Sequence, residues 1–177
     1  MNRCNIKREI KDIKEESMKV SILYDSKSGH TREVGEIIKK GIERVDGIEI
    51  KCMNIEEIDK EFLDESKGVV FGTPTYLANT TANMKKWLDD SHDINLEGKL
   101  ASFYATADYI WGGADTAILT LINQIIVKGM LIYSGGAALG KPFIHLGYIS
   151  VNGVNDKDID TPMIFGERIG EKVKELF

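Results

Sequence analysis

The stretch "KVSILYDSKSGHTREVGEIIKKGI", Lys19 to Ile42, decides the fold. It opens as a mostly apolar run, the pattern of a strand buried on both faces. It closes with Val34, Ile37, Ile38 and Ile42, which lie on one face of a helix, and Val45 continues that spacing. Between them stand two serines, a glycine, a histidine and a threonine. A strand that runs through such a loop directly into a helix is the first half of a βαβ unit.

The same alternation continues down the chain. "GIEIKCMNI" reads as a second strand and Glu56 to Leu63 as a weaker helical patch. "KGVVFGTPTY" is a third strand, stopping at Gly72-Thr73-Pro74. Met84, Trp87 and Leu88 give the next helix its apolar face, with Asn79 or Thr80 as its N-cap. "KLASFYATA" is a fourth strand, "ADTAILTLINQIIVKG" a long helix ending at Gly129, and "MLIYSGG" a fifth strand. Thr161-Pro162 opens a last helix in which Phe165, Ile169, Val173 and Leu176 face inward. Five βα repeats predict an α/β fold, a parallel sheet with right-handed crossovers and helices on both faces. The connection from Gly135 to Asp160 is long enough to suggest a function of its own, and "FIHLGYISV" within it reads as an extra strand or hairpin.

The totals bound the class. A chain of 177 residues suits one domain, here 19–177. Residues 1–18 form a polar extension in which only Ile6, Ile10 and Ile13 make a thin helical stripe. The net charge of −5 and the lack of a basic cluster argue against a nucleic-acid partner. The longest apolar stretch is broken by Asn123, Gln124 and Lys128, too short for membrane insertion. Cys4 and Cys52 lack the spacing of a metal or redox motif. Two separate thiols in a reducing compartment are preferred over a disulfide between them, and the chain reads as cytoplasmic.

Ligands of an open parallel sheet bind outside the carboxyl ends of its strands. Three loops there carry unusual chemistry. Asp25–Thr31 brings the hydroxyls of Ser26, Ser28 and Thr31 around Gly29 to a helix start, where free N–H groups favour an anion. The loop lacks the lysine of a P-loop and the G-x-G-x-x-G of a dinucleotide fold. Thr73–Asn79 offers a proline-stiffened turn with Tyr76 and Leu77. Thr106–Gly113 sets Tyr109 and Trp111 before Gly112-Gly113, a wall for a planar ligand. Taken singly, the first loop reads better as a mere helix cap, and the other two equally well as a tight turn and a satellite cluster. Their shared position favours a ligand site.

Ser26-Lys27-Ser28-Gly29-His30-Thr31 resembles the flavodoxin phosphate loop, [ST]-x-[ST]-G-x-T. "FGTPTYLANTTANMKKWLDD" is similar to the flavin loop and following helix of WrbA-type NAD(P)H:quinone oxidoreductases. "GKLASFYATADYIWGGADTAILTLINQIIVKGMLIYSG" is similar to their fourth strand, glycine-rich loop and long helix. The resemblance implies a flavodoxin-like three-layer fold with strand order 2-1-3-4-5, and FMN as cofactor. It implies that Ser26, Ser28, Gly29, His30 and Thr31 hold the phosphate. Pro74, Thr75, Tyr76 and Leu77 would line the isoalloxazine, with Thr106, Ala107, Asp108, Trp111, Gly112 and Gly113 on the other side. It departs from the WrbA pattern at three points. "TADYIWGG" is bulkier than the usual small, open loop, Lys128 replaces a histidine, and Tyr76 stands where many relatives have arginine.

Two functions follow from the resemblance. The first is an FMN-dependent oxidoreductase passing electrons from NADH or NADPH to a quinone or similar small-molecule acceptor. No catalytic side chain and no metal is required, because the chemistry resides on the flavin. The resemblance also suggests a homo-oligomer, a dimer or tetramer. The alternative is a flavodoxin-type electron carrier that serves protein partners. Carriers are commonly strongly acidic around the flavin, so a net charge of −5 favours the oxidoreductase as the main expectation.

Overall fold

The structure, a computed structural model, describes residues 17–154 and 158–177. The expectations for residues 1–16, Cys4 among them, lie outside the described residues.

Among the described residues, six strands form one sheet with five helices packed on its two faces. The strands are β1 (Met18–Tyr24), β2 (Ile48–Asn54), β3 (Ser66–Pro74), β4 (Leu100–Ala107), β5 (Leu131–Ile132) and β6 (Tyr148–Val151). The helices are α1 (His30–Ile42), α2 (Lys60–Glu65), α3 (Ala82–Asp90), α4 (Ala114–Val127) and α5 (Asp160–Leu176). Strand order is β2-β1-β3-β4-β5, as the resemblance implies, with every pairing parallel, as the βα alternation predicts.

Burial follows position in the sheet. All eight residues of the central β4 are buried, whereas edge strand β2 buries only Met53. Successive side chains point to opposite faces. Leu23, Val69, Phe71, Phe103 and Ala105 pack with Met84, Leu88, Ile118 and Leu121 of α3 and α4. Val20, Ile22, Val70 and Tyr104 pack with Val34, Ile38, Phe165 and Ile169 of α1 and α5.

The fifth strand differs from its expected form. β5 spans two residues, pairing with Leu100–Ala101 at the start of β4. The chain then leaves the sheet after Tyr133 and returns as β6, parallel to Tyr104–Ala107 on the same edge of β4. The extra strand anticipated within "FIHLGYISV" is therefore the second half of an interrupted fifth strand. Buried Arg168 of α5 braces the intervening segment. Its guanidinium donates to the carbonyls of Gly135 at 3.2 Å, Gly140 at 3.2 Å, Lys141 at 3.1 Å and Pro142 at 2.9 Å.

Other boundaries shift for local reasons. α2 starts at Lys60, not near Glu56, because the Asp59 side chain accepts from Phe62 N–H and caps it there. α3 is capped by Thr81 rather than Asn79 or Thr80, since the Thr81 hydroxyl accepts from Met84 N–H at 3.1 Å. Leu176 is exposed, not inward. Val173, one turn earlier, already packs at Gly68, near the start of β3, so the helix end runs past the sheet.

Candidate functional site

The register brings the three loops to one end of the sheet. Tyr24 lies beside Gly72, and Pro74 beside Thr106. Asp25 N–H continues the ladder to Gly72 carbonyl at 3.1 Å, and Thr75 N–H donates to Thr106 carbonyl at 2.8 Å. Each loop therefore leaves a neighbouring strand at nearly the same level.

The first loop ends in an uncapped helix. Gly29 is the N-cap of α1, in the left-handed region at φ 100°, with no side-chain cap bond. A Cβ there would meet only Glu33 Oε1, at 3.9 Å, so space is not what requires glycine; the dihedral is. Ser26 Oγ accepts from Gly29 N–H at 3.1 Å and lies 3.5 Å from Arg32 N, folding the loop over the helix start. The first-turn N–H groups have no intrahelical acceptor. Lys27, Ser28 and His30 are exposed, and Arg32 is exposed beside them. This end carries the partial positive charge of the helix.

Thr31 is placed differently from its loop neighbours. Its side chain is buried, with Oγ1 2.9 Å from Thr106 Oγ1. Its carbonyl accepts from the Tyr104 hydroxyl at 2.9 Å. Burial pushes the Tyr104 phenol well above its ordinary pKa, so it stays protonated as the donor. Burial also pushes Tyr148 of β6 up, to about 12.

The second loop is a tight two-residue turn. Tyr76 and Asn79 exchange both backbone hydrogen bonds at 3.0 Å, and Leu77 and Ala78 occupy the turn at φ 51° and 58°. Such turns favour Asn-Gly. Two residues with side chains in that region carry backbone strain of about 1–2 kcal/mol each. Leu77 is fully exposed and Tyr76 half-exposed. Thr75 Oγ1 is buried without a hydrogen-bond partner. Beneath the turn, Thr73 Oγ1 lies 2.9 Å from Thr80 Oγ1, and Thr81 donates to the buried Asp25 carboxylate at 2.5 Å. A cavity of about 350 Å³ opens beside this tie, lined by Asp25, Ser26, Lys27, Asn54, Glu56 and Tyr76 among others.

The third loop starts buried and ends exposed. Thr106 and Ala107 are buried, Asp108 is exposed, and Trp111 is 94% exposed. Gly112 N–H donates to Tyr109 carbonyl at 3.0 Å, so Tyr109 and Ile110 project outward on a turn. Gly113 caps α4 without a side chain, and a Cβ on it would come within 2.5 Å of Ala78 Cβ. The second and third loops thus touch at Ala78 and Gly113.

The structure brings Ser26, Ser28, Gly29, His30, Thr31, Pro74, Thr75, Thr106, Ala107, Gly112 and Gly113 together around one rim. Tyr76, Leu77, Asp108 and Trp111 stand on its outer side. Sequence reasoning missed Asp25 and Thr81 as the tie between the first two loops, and Tyr104 as the support of the first. A carboxylate ending an otherwise apolar strand was the available signal for Asp25. It also missed the turn after β6, where Asn152 N–H donates to Ala107 carbonyl at 2.8 Å and Gly153 lies against the His30 ring.

Comparison with known proteins agrees with this geometry. The family model described as Flavodoxin matches residues 22–129. A flavodoxin of Clostridium saccharobutylicum is 52% identical over 160 residues, 90% of this chain and 100% of the relative. The chain belongs to the flavodoxin family. A solved archaeal flavodoxin shares the fold, with a TM-score of 0.73 at 23% identity, covering 89% of this chain and 99% of that one. A NAD(P)H dehydrogenase (quinone) of Syntrophobacter fumaroxidans is more distant, 27% identical over 143 residues, 65% of this chain and 70% of the relative.

These findings overturn the oxidoreductase expectation. The relative at 52% identity is a flavodoxin, while the quinone enzyme matches at half that level. The WrbA-type resemblance narrows to flavodoxins proper. The G-T-P-T turn did not separate the two classes. The charge argument misled because a net charge sums the whole chain. Around these loops Glu56, Glu57, Asp108 and Asp115 are exposed, as are Lys27 and Arg32. Among the described residues no helix is long and apolar enough to cross a membrane.

Proposed function

We propose that this chain is an electron carrier that binds FMN at the rim of the three loops and exchanges electrons with protein partners. The observation that carries this reading is the uncapped start of α1, wrapped by a hydroxyl-bearing loop at the switch point between β1 and β3. Membership of the flavodoxin family supports it.

The residues present fit FMN. The N–H groups from Ser28 to Thr31 and the hydroxyls of Ser26 and Ser28 would hold the phosphate, with His30 at its edge. Pro74, Thr75, Tyr76 and Leu77 would line one side of the ring. Ala107, Asp108 and Trp111 to Gly113 would line the other, with the Thr106 side chain turned away beneath the loops toward Thr31. The orphaned Thr75 Oγ1 is a buried polar atom that a polar ring edge would satisfy. Bound FMN supplies the redox chemistry. The chain's own residues bind it, orient it and exclude water from its inner edge.

Titrating the apoprotein with FMN tests the reading. One equivalent should bind with loss of flavin fluorescence, and the holoprotein should exchange electrons with cytochrome c as a probe acceptor. A chain that takes up no flavin overturns the reading. So does rapid quinone-dependent oxidation of NADH or NADPH.

A further inference from the structure

We propose that Tyr104 and Thr106 of β4 are positioning residues for the phosphate end of the site, making the chain prefer FMN over a flavin without phosphate. The inference rests on the FMN reading above and assigns its phosphate selectivity to two residues beneath the loop.

Thr31 is gripped at two points from one strand. The Tyr104 hydroxyl donates to its carbonyl, and the Thr106 hydroxyl meets its side chain, both at 2.9 Å. Tyr104 and Thr106 are two apart in β4, so they share the face on which α1 lies. Thr31 is the second residue of α1. Fixing it fixes the height and rotation of the first turn, and with them the N–H groups that meet an anion.

The tyrosine is accommodated at some cost elsewhere. A Cβ on Gly72 would lie 2.1 Å from its ring Cζ, and a Cβ on Gly35 would lie 2.6 Å from its hydroxyl. The two glycines open a slot that one ring fills completely, since Tyr104 is fully buried. Phenylalanine would fill the slot without burying a hydroxyl, and a buried hydroxyl is unfavourable unless paired. Here its one acceptor is the phosphate loop's own helix turn. Packing alone does not call for that hydroxyl; aligning the turn does.

The position of Thr106 has the same logic. Its hydroxyl is below the loops and 6% exposed, so it faces Thr31 instead of the ring side of the rim. A misplaced first turn weakens contacts to phosphate while leaving the ring walls, which come from the second and third loops, in place.

The test compares FMN with riboflavin, which shares the ring and lacks the phosphate. Apoprotein of the wild type, Tyr104→Phe and Thr106→Val is titrated with each flavin by fluorescence quenching, alongside thermal unfolding. Each single variant should lower the FMN-to-riboflavin affinity ratio about tenfold, the scale of one hydrogen bond's worth of alignment, with riboflavin affinity unchanged. A ratio equal to that of the wild type overturns the positioning role, as does an equal loss for both flavins. If Tyr104→Phe does not fold, Thr106→Val decides the question alone. A wild-type chain that binds riboflavin as well as FMN overturns this inference alone; one that binds neither overturns the cofactor reading itself.

Discussion

The first loop is held from beneath by buried hydroxyls, while the second and third are held at their bases and by one contact between Ala78 and Gly113. Ser26 folds over the start of α1, Thr31 is fastened to Tyr104 and Thr106, and Asp25 is tied to Thr81. Leu77, Tyr109, Ile110 and Trp111 instead project from turns with most of their surface in water. The proposed anion end is preorganised by buried hydroxyls. The proposed ring end is an apolar rim whose side chains have little to pack on within the chain. Preorganisation matters most where charge must be met by fixed donors, because dipoles that must first reorient give up much of their binding energy. An apolar rim can adjust to a planar ring at smaller cost.

The contrast is broken most severely by charge. In Ser28→Asp a carboxylate replaces a hydroxyl at the proposed phosphate position. Two like charges about 4 Å apart near a protein surface repel by roughly 4 kcal/mol. FMN affinity should fall at least about 100-fold, read by fluorescence titration, while riboflavin affinity stays near that of the wild type. Unchanged FMN affinity would place the phosphate elsewhere. Next in size is Gly72→Ala, which drives a methyl group into the Tyr104 ring and attacks the bracing directly. Overpacking of a rigid core of this kind costs about 3 kcal/mol. Denaturant unfolding should show that loss, and the anion end should loosen with it.

The fold was legible because β1, β3 and β4 are mostly apolar runs, each followed by a helical stripe. The gathering of the three loops was legible because a parallel sheet places every strand-to-helix loop at one end. What was not legible depended on partners distant in sequence. "MLIYSGG" looks like a full strand, yet only Leu131 and Ile132 pair, because Tyr148–Val151 occupies the rest of the β4 edge. Tyr104 reads as an ordinary core aromatic in a buried strand. Nothing local reveals that its hydroxyl reaches a carbonyl 73 positions earlier. Carrier and oxidoreductase share the phosphate loop and the G-T-P-T turn, so those motifs identified a flavin fold without separating the two. What separated them was similarity over the whole chain to a flavodoxin, which no short motif carries.

The strain in the second loop yields a smaller and opposite effect. Ala78 sits at φ 58°, a region that costs a residue with a Cβ about 1 kcal/mol or more relative to glycine. Ala78→Gly should therefore stabilise the apoprotein by about 1 kcal/mol, less what glycine adds to unfolded-chain entropy. A rise in Tm of a few degrees is the expected reading. No rise would mean that Ala78 gains from its contact at Gly113 what it loses in backbone strain.

Trp111→Ala sharpens the comparison with the least disturbance. The indole is 94% exposed, so its removal should change apoprotein stability by less than about 0.5 kcal/mol. If the rim exists for a planar ligand, the loss appears only in binding. An aromatic contact with a ring is worth about 1 kcal/mol beyond its area, or roughly fivefold in affinity. That loss should fall equally on FMN and riboflavin, because both carry the ring. Ser28→Asp should spare riboflavin, and Trp111→Ala should spare neither. A Trp111→Ala variant that loses FMN but keeps riboflavin would couple the ring end to the phosphate end. The two halves of the rim would then act as one unit, and the division between a braced anion end and an adaptable ring end would fail.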